Sequence, residues 1–266
     1  MGENNNQLVV CVLISCMNQD KSIIERTHVQ SNVVVVNQCD EESIEEWDFI
    51  NGSGKVCHAK FISTTERGLS ASRNLALENA WGDICIFCDD DEVLIDCYED
   101  TVVKSFCDEK DCDIIAFKLI YNRKSFGDTK CKYNRLSVTS VSSAQVAFRR
   151  DAVIETGIKF DEKLGSGSGN GGGEENKFLF QLLGKGLKAI YIPVLLAEIK
   201  SESESLWFKG YTSQYIVNEG WGYRRIFGTY LAYPLLWYHA IKHTKLYKRN
   251  FFEIIYLLHR GFLEKR

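Results

Sequence analysis

The feature that most constrains the fold is a series of short apolar runs that alternate with helical patterns between Leu8 and about Tyr191. The runs occupy residues 8–15, 32–37, 83–88 and 113–120, with a weaker one at 55–62. A strand that is apolar throughout, rather than at every second residue, is typical of a sheet buried on both faces. The sequence therefore predicts an α/β fold with a mostly parallel sheet flanked by helices.

One helical pattern lies between these runs, at residues 69–80, and another follows the last of them, at residues 174–187. After Ser201 the pattern changes to long, aromatic-rich helical stretches. We therefore expect an α/β domain over residues 1–200 and a helical extension over residues 201–266.

The helical extension is strongly basic. From Trp221 to Arg266 there are nine Lys or Arg residues and two Glu, a net charge of +7, whereas the whole chain carries −4. This asymmetry indicates attraction to an anionic surface or a phosphate-bearing substrate, and it argues against nucleic-acid binding by the whole protein. A solvated basic face is the alternative.

Residues 226–241 form an apolar stretch that contains Pro234 and His239 and has basic flanks. The stretch is shorter than the roughly 20 residues that span a bilayer. Its Tyr and Trp residues are typical of a helix that lies on a membrane surface. A helix packed on the α/β core is the alternative.

All ten cysteines lie between Cys11 and Cys131. Cys85 and Cys88 have the spacing of half a metal site, but residues three apart in a strand point to opposite faces, so we expect buried thiols there. The first residues contain neither a cationic start nor a long apolar stretch. We therefore expect no signal peptide, and reduced thiols in the cytoplasm.

Four consecutive acids, Asp89 to Glu92, follow the apolar run at 83–88. In open α/β sheets ligands bind at the carboxyl ends of strands, so these carboxylates are placed to meet a substrate. Clustered anions repel one another unless a cation joins them, and oxygen ligands suit Mg²⁺ or Mn²⁺. The cluster predicts a metal site that would neutralise a diphosphate; an acidic turn is the alternative.

Two further segments carry candidate site residues. The segment at 67–74 (RGLSASRN) leads into a helix, whose free amides and Arg73 suit a phosphate. The glycine-rich run at 165–173 precedes Glu174 and Glu175, but its surroundings fit neither a dinucleotide fingerprint nor a P-loop. It indicates an active-site edge with Glu174 or Glu175 as general base; a surface loop before a helix is the alternative.

Five motifs occur in an order that resembles family 2 glycosyltransferases. They are a strand ending at Asn18, the segments at 35–40, 67–74 and 82–91, and Gly173-Glu-Glu175. The resemblance covers roughly residues 8–200. It implies a GT-A fold and an inverting enzyme that uses a nucleoside-diphosphate sugar, of the kind encoded with bacterial polysaccharide genes.

The resemblance also assigns roles to residues. Asp89-x-Asp91 takes the place of the family's DxD motif, with Asp91 as the direct ligand of Mn²⁺ or Mg²⁺ and Asp89 nearer the metal or the ribose. Glu175 aligns with the catalytic base, and Glu174 precedes it. The donor pocket would be lined by Asn18, Asn37, Asp40, Arg67, Gly68, Arg73, Asn74, Asp89 and Asp90.

Two residues depart from the family pattern. Asn37 stands where the family usually has an Asp that binds the nucleobase, and whether Asp40 replaces that Asp is open. The expected donor is a UDP-sugar. Glu175 replaces an Asp, so the carboxylate is kept on a longer arm and either Glu174 or Glu175 is available as base. The Gln-x-x-Arg-Trp motif of processive relatives does not occur in the sequence, so we expect one sugar transferred per encounter.

The implied reaction is an in-line displacement in which Glu175 accepts a proton from a saccharide hydroxyl and a metal stabilises the departing diphosphate. The basic, aromatic segment at 221–266 further predicts peripheral contact with the inner face of the cytoplasmic membrane and a lipid-linked saccharide acceptor. The sequence leaves the oligomeric state open.

Two other classes of protein remain alternatives. Asp89-x-Asp91-x-Val93 after a strand also resembles the motif of haloacid-dehalogenase-type phosphatases, but that motif opens its domain, and about eighty residues precede it here. A catalytically inactive relative that only binds carbohydrate or a partner is the second, and the intact acid cluster with Glu174 and Glu175 argues against it.

Overall fold

The computed structural model describes residues 8–121, 124–125, 127–200 and 210–266. The strands are β1 (Val10–Met17), β2 (Asn32–Gln38), β3 (Ser43–Ile50), β4 (Val56–Thr64), β5 (Ile84–Asp89), β6 (Glu92–Leu94), β7 (Ile114–Tyr121), β8 (Lys124–Ser125), β9 (Cys131–Lys132), β10 (Val146–Arg149) and β11 (Ala189–Ile199). The helices are α1 (Ile23–Arg26), α2 (Leu69–Glu78), α3 (Tyr98–Asp108), α4 (Arg150–Glu155), α5 (Glu174–Gly184), α6 (Ser213–Tyr247) and α7 (Phe251–Leu263). Two 3₁₀ turns, Ser137–Ser140 and Ser143–Gln145, precede β10.

The described strands form one mixed sheet in the order β3-β4-β2-β1-β5-β10-β7-β11-β6, with β8 and β9 beside β7 and β11. The neighbours β4, β2, β1 and β5 are parallel, so their carboxyl ends meet at one edge. β10 is antiparallel to β5 and β7, and β3 and β6 pair antiparallel at the two ends. The predicted α/β architecture is confirmed, with antiparallel pairing more extensive than the apolar runs indicated.

Burial on both faces explains the continuous apolar runs. The side chains of β1 alternate between two hydrophobic cores, one on each face of the sheet, and the strand is buried from Val10 to Cys16. Cys85 and Cys88 of β5 likewise lie in different cores. All ten cysteines are free thiols, and these two are buried as expected.

The helices α6 and α7 form a hairpin with a hydrophobic core of its own. Their backbones touch at two glycines: a Cβ on Gly220 would lie 1.9 Å from the carbonyl oxygen of Leu258, and one on Gly261 would lie 1.8 Å from that of Val217. Only residues without a side chain permit this approach. At Gly228, whose φ is 73°, α6 breaks into two helical halves.

The apolar stretch at 226–241 spans this break, and most of it lies in the second half of α6. One side of that half packs on α7 through Ala232 and Leu236, and another exposes Tyr230 and Tyr238. No helix in the described ranges is both long and apolar enough to cross a membrane. The domain boundary at 200/201 adjoins residues outside the described part and stays a prediction.

Candidate functional site

The carboxyl ends of β1, β2 and β4 border a cavity of 770 Å³. Three residues predicted for the donor pocket, Asn18, Asn37 and Asp40, line this cavity. At the end of β1, Asn18 adopts a φ of 51°, and its backbone N–H donates to the carbonyl oxygen of Gln38 at 3.0 Å. The structure therefore places these three residues together where parallel strands end, as a nucleotide site requires.

Asn37 is buried at the floor of the cavity. Its Oδ1 accepts a hydrogen bond from the backbone N–H of Gln19 at 2.9 Å and a longer one from the thiol of Cys16 at 3.7 Å. These two donors identify which side-chain atom is the oxygen. The amide NH₂ group (Nδ2) of Asn37 is therefore the group that remains free to hydrogen-bond a nucleobase. Within the described residues no acceptor lies in hydrogen-bond distance of that amine.

Arg67 and Gly68 connect this cavity to the glycine-rich loop. Arg67 donates to Asp40 at 2.6 Å in an exposed ion pair. Gly68, with a φ of 119°, donates its N–H to the Oε1 of Gln38 at 2.7 Å. A Cβ on Gly167 would lie 3.3 Å from the Cα of Gly68, so the two segments are in close contact.

Arg73 is buried and joins three separate segments. Its guanidinium donates to the Oδ1 of Asp89 at 2.9 Å, the Oε1 of Glu174 at 3.1 Å and the Oγ of Ser143 at 2.7 Å. Burial alone would lower the pKa of Arg73, but Asp89 and Glu174 raise it above its usual value. The acid cluster and the start of α5 are therefore held by one permanent positive charge.

Asn74 does not line the 770 Å³ cavity. Its Nδ2 donates to the carbonyl oxygen of Phe160 at 3.0 Å and to Glu162 at 3.2 Å, and its Oδ1 accepts from the N–H of Phe160 at 2.7 Å. Both amide atoms are occupied by the segment before the glycine-rich loop. In this geometry Asn74 positions that segment, and its predicted contact with a donor stays a prediction.

The four consecutive acids have different surroundings. Asp89 is partly buried against Arg73, while Asp90 and Asp91 are exposed in the turn after β5. Glu92 is fully buried in β6, and burial raises the pKa of its carboxyl well above the usual value. The expectation that all four carboxylates face a substrate is therefore wrong for Glu92, because the pairing of β6 with β11 places this residue inside the protein.

The exposed acids can supply one or two of the ligands that a divalent cation needs. Although both side chains are largely exposed, partial desolvation and then repulsion from Asp91 and Asp89 raise the pKa of Asp90. Partial desolvation and repulsion from Asp89 raise the pKa of Asp91. A cation would relieve this repulsion. The described residues contain no group of three or more candidate metal ligands. The arrangement suits Mg²⁺ or Mn²⁺ held by one or two carboxylates that takes its other ligands from a diphosphate and water.

The first turn of α5 distinguishes the two candidate bases. Glu174 is 5% exposed and ion-paired with Arg73. Glu175 is partly exposed, and burial followed by repulsion from Glu174 raises its pKa to about 8. Because Glu174 is buried in its ion pair with Arg73 and Glu175 is the more accessible carboxyl, the geometry favours Glu175 over Glu174 as the base, and the raised pKa of Glu175 suits proton transfer.

Two residues of the site were not found from the sequence. Ser143 completes the contacts of Arg73, and the capping-box spacing of Ser142 and Gln145 was the available signal for this turn. Asp161 lies in the segment before the glycine-rich loop and pairs with Lys177 of α5 and Arg225 of α6. Although burial raises the pKa of Asp161, hydrogen bonds from Arg225 and Lys177 lower it to about 2.

Comparison with solved structures identifies the fold. The crystal structure of S. aureus TarS 1–349 is similar over 97% of this chain and 93% of its own, with a TM-score of 0.58 and 13% identity. Its complex with UDP is similar over the same shares, with a TM-score of 0.58 and 14% identity. Its complex with UDP-GlcNAc is similar over 90% of this chain and 73% of its own, with a TM-score of 0.57 and 16% identity. The fold is thus that of the GT-A glycosyltransferases, as predicted.

The family is identified from the sequence itself. The model of glycosyl transferase family 2 matches residues 12–153, which is more than half of the chain. The chain belongs to this family, and the phosphatase alternative is thereby removed. A sequence comparison with curated proteins gives no significant match.

The buried position of Arg73 predicts a large effect of removing its charge. We expect Arg73→Met to lower the free energy of unfolding by about 3–5 kcal/mol, because the buried Glu174 and the partly buried Asp89 would lose their partner. Arg67→Met is the matched control: its ion pair is exposed, so the loss should stay below about 1 kcal/mol. Urea unfolding of both variants measures this, and equal losses would contradict the central role of Arg73.

Proposed function

We propose that this protein is an inverting, non-processive glycosyltransferase that moves one sugar from a nucleoside-diphosphate sugar, with UDP as the expected nucleotide, to a saccharide hydroxyl. The observation that carries the proposal is the bridge made by Arg73, which joins Asp89 of the acid cluster to Glu174 beside the proposed base. A donor held at the acids and a hydroxyl next to Glu175 would meet at this bridge. Family membership supports the reaction class.

Each side chain has a separate task in this proposal. Asn18, Asn37 and Asp40 would hold the nucleoside in the 770 Å³ cavity. Asp91, with Asp89, would hold Mn²⁺ or Mg²⁺, which supplies positive charge to the leaving diphosphate. Glu175 would take the proton of the attacking hydroxyl. The UDP and UDP-GlcNAc bound by S. aureus TarS support a uridine nucleotide as the first choice.

Nucleotide binding tests the donor class. Ligand at 100 times its dissociation constant adds roughly 2.7 kcal/mol to the stability of the protein, which raises the melting temperature by several degrees at this size. We expect such a shift with UDP and Mn²⁺, a smaller one without the metal, and smaller ones with GDP, dTDP or CMP.

In the same assay Asp91→Ala should lose the metal-dependent part of the shift. Asp108→Ala, which removes an exposed acid of α3, should keep it. The absence of a shift with every nucleotide in the unaltered protein would contradict the proposal.

The pKa of Glu175 predicts the pH dependence of the reaction. Only the ionised carboxylate accepts a proton, so the rate of UDP release from a panel of UDP-sugars should rise with pH until about 8. Glu175→Gln should lower turnover by at least about 100-fold. Glu175→Asp keeps a carboxylate and should retain more activity than Glu175→Gln.

Glu155→Gln, an exposed substitution on α4, is the control and should keep the activity and pH profile of the unaltered protein. Full activity of Glu175→Gln would remove Glu175 from its role. UDP binding without any UDP release would favour the inactive, carbohydrate-binding alternative.

We further propose that the α6–α7 hairpin rests on the inner face of the cytoplasmic membrane, where a lipid-linked saccharide of polysaccharide synthesis would be the acceptor. Trp237 and Tyr256 are about half exposed or more and border a common apolar cleft between the two helices. The net charge of +7 over residues 221–266 complements anionic lipids. This pairing of interfacial aromatics with basic residues supports a membrane surface as the partner.

Vesicle binding tests this surface. The protein should co-sediment with phosphatidylglycerol vesicles in low salt, bind phosphatidylcholine vesicles weakly, and be released as salt rises. Tyr256→Ser should weaken binding several-fold, whereas Ile44→Ser, at an equally exposed apolar residue of β3, should not. No binding to phosphatidylglycerol, or equal effects of the two substitutions, would contradict the membrane contact.

A further inference from the structure

A second cavity, of 750 Å³, lies between the glycine-rich loop at 165–173 and the first half of α6. Its volume falls within the roughly 300–1,000 Å³ of small-molecule sites. Gly173 and Asn176 line it, and these two residues flank Glu174 and Glu175 in the first turn of α5. A hydroxyl bound in this cavity would therefore lie close to the base proposed above.

Hydrogen-bonding groups line the cavity from two helices. Asn176 comes from α5, and its amide has no hydrogen-bond partner in the part of the chain that the structure describes. Asn218 and Glu219 come from α6. The Oδ1 of Asn218 accepts from Arg266 at 2.9 Å, and the charge of Arg266 is met by Glu264 at 2.5 Å. Amides and a carboxylate are the groups that hydrogen-bond sugar hydroxyls in several directions.

Aromatic rings supply the apolar part of the wall. Tyr223 and Phe227 both line the cavity, with ring centroids 5.6 Å apart. The hydroxyl of Tyr223 is hydrogen-bonded to the Nδ1 of His239 at 2.9 Å, which holds the ring in place. A cavity with fixed aromatic surface and a few polar groups suits a ligand with both apolar faces and hydroxyl edges.

The charge of the wall narrows the ligand further. Among the described residues that line the cavity there is no Lys or Arg, and Glu219 is the only acid. Burial raises the pKa of the Glu219 carboxyl, and a hydrogen bond with Tyr215 acts in the opposite direction. The two arginines of this part of α6 are engaged elsewhere: Arg224 donates to the carbonyl oxygen of Phe262 at 2.9 Å, and Arg225 to Asp161 at 2.6 Å.

Arg266 donates to the lining residues Asn170 and Asn218, but it is already paired with Glu264. An anionic sugar would therefore meet Glu219 with no Lys or Arg of the described lining to offset it, and like charges at short range repel.

We propose that this cavity binds an uncharged sugar of the acceptor, that Glu219 and Asn176 hydrogen-bond its hydroxyls, and that Glu219 excludes acceptors whose accepting sugar itself bears a carboxylate or phosphate. The proposal rests on the proposed function, because it assigns the acceptor class of the same site. The cavity would select among acceptors by their charge. The charge of the acceptor is a property that family membership and the fold leave open.

Saturation-transfer NMR on the full chain with UDP and Mg²⁺ tests the proposal. The neutral probes are the methyl glycosides of glucose, galactose and N-acetylglucosamine, and the anionic probes are methyl glucuronide and glucose 6-phosphate. We expect contact with at least one neutral glycoside and with neither anionic probe. Contact with the anionic probes as strong as with the neutral ones, or with no probe of either class, would overturn the proposal.

Two substitutions locate the contact. Glu219→Gln should weaken binding of the neutral glycoside roughly tenfold, because a charged hydrogen bond becomes a neutral one, and should bring the glucuronide closer to the neutral probe. Asn176→Ala, which breaks no hydrogen bond among the described residues, should weaken the neutral glycoside about fivefold. Glu155→Gln should change neither. Unchanged glycoside binding in both cavity variants would overturn the assignment.

The affinity for UDP, measured in the same samples, separates the two proposals. It should be the same in the unaltered protein and in both cavity variants, which also shows that the variants are folded. If the unaltered protein does not bind UDP, the proposed function itself fails. If it binds UDP but the cavity residues have no effect on glycosides, only the acceptor assignment fails.

Discussion

The buried guanidinium of Arg73 is the contact on which the site depends. It binds Asp89 at the end of β5, Ser143 in the turn before β10 and Glu174 at the start of α5. Residues 73 and 174 are 101 positions apart in the chain. Since a buried charge without its partners is costly, these three segments are constrained to one arrangement.

Other contacts extend this arrangement to the C-terminal helices. Asp161 pairs with Lys177 of α5 and Arg225 of α6, so the segment before the glycine-rich loop is tied to both helices. The close approach at Gly220 and Gly261 then sets α7 against α6. The 770 Å³ cavity lies at the carboxyl ends of β1, β2 and β4. The 750 Å³ cavity lies between the glycine-rich loop and α6, so these contacts fix its walls.

The elements that were predicted share a strong local pattern. β1, β2 and β5 are apolar over most of their length, and α2 and α5 have the helical period, so short windows of sequence were enough. β3 was not predicted because it is an edge strand with mostly exposed side chains, among them Glu45 and Glu46. β10 was not predicted because four residues are too few to show a period.

The candidate site likewise has features that local sequence predicts and features that depend on distant contacts. The sequence by itself determined that acids follow a buried strand and that two glutamates open a helix, because residues adjacent in the chain carry both signals. Only the tertiary structure decided that Glu92 points inward, that Asn74 binds the segment at Phe160 and that Glu174 pairs with Arg73. Each of these depends on strand pairing or on contacts between residues distant in sequence, and no local pattern encodes such contacts.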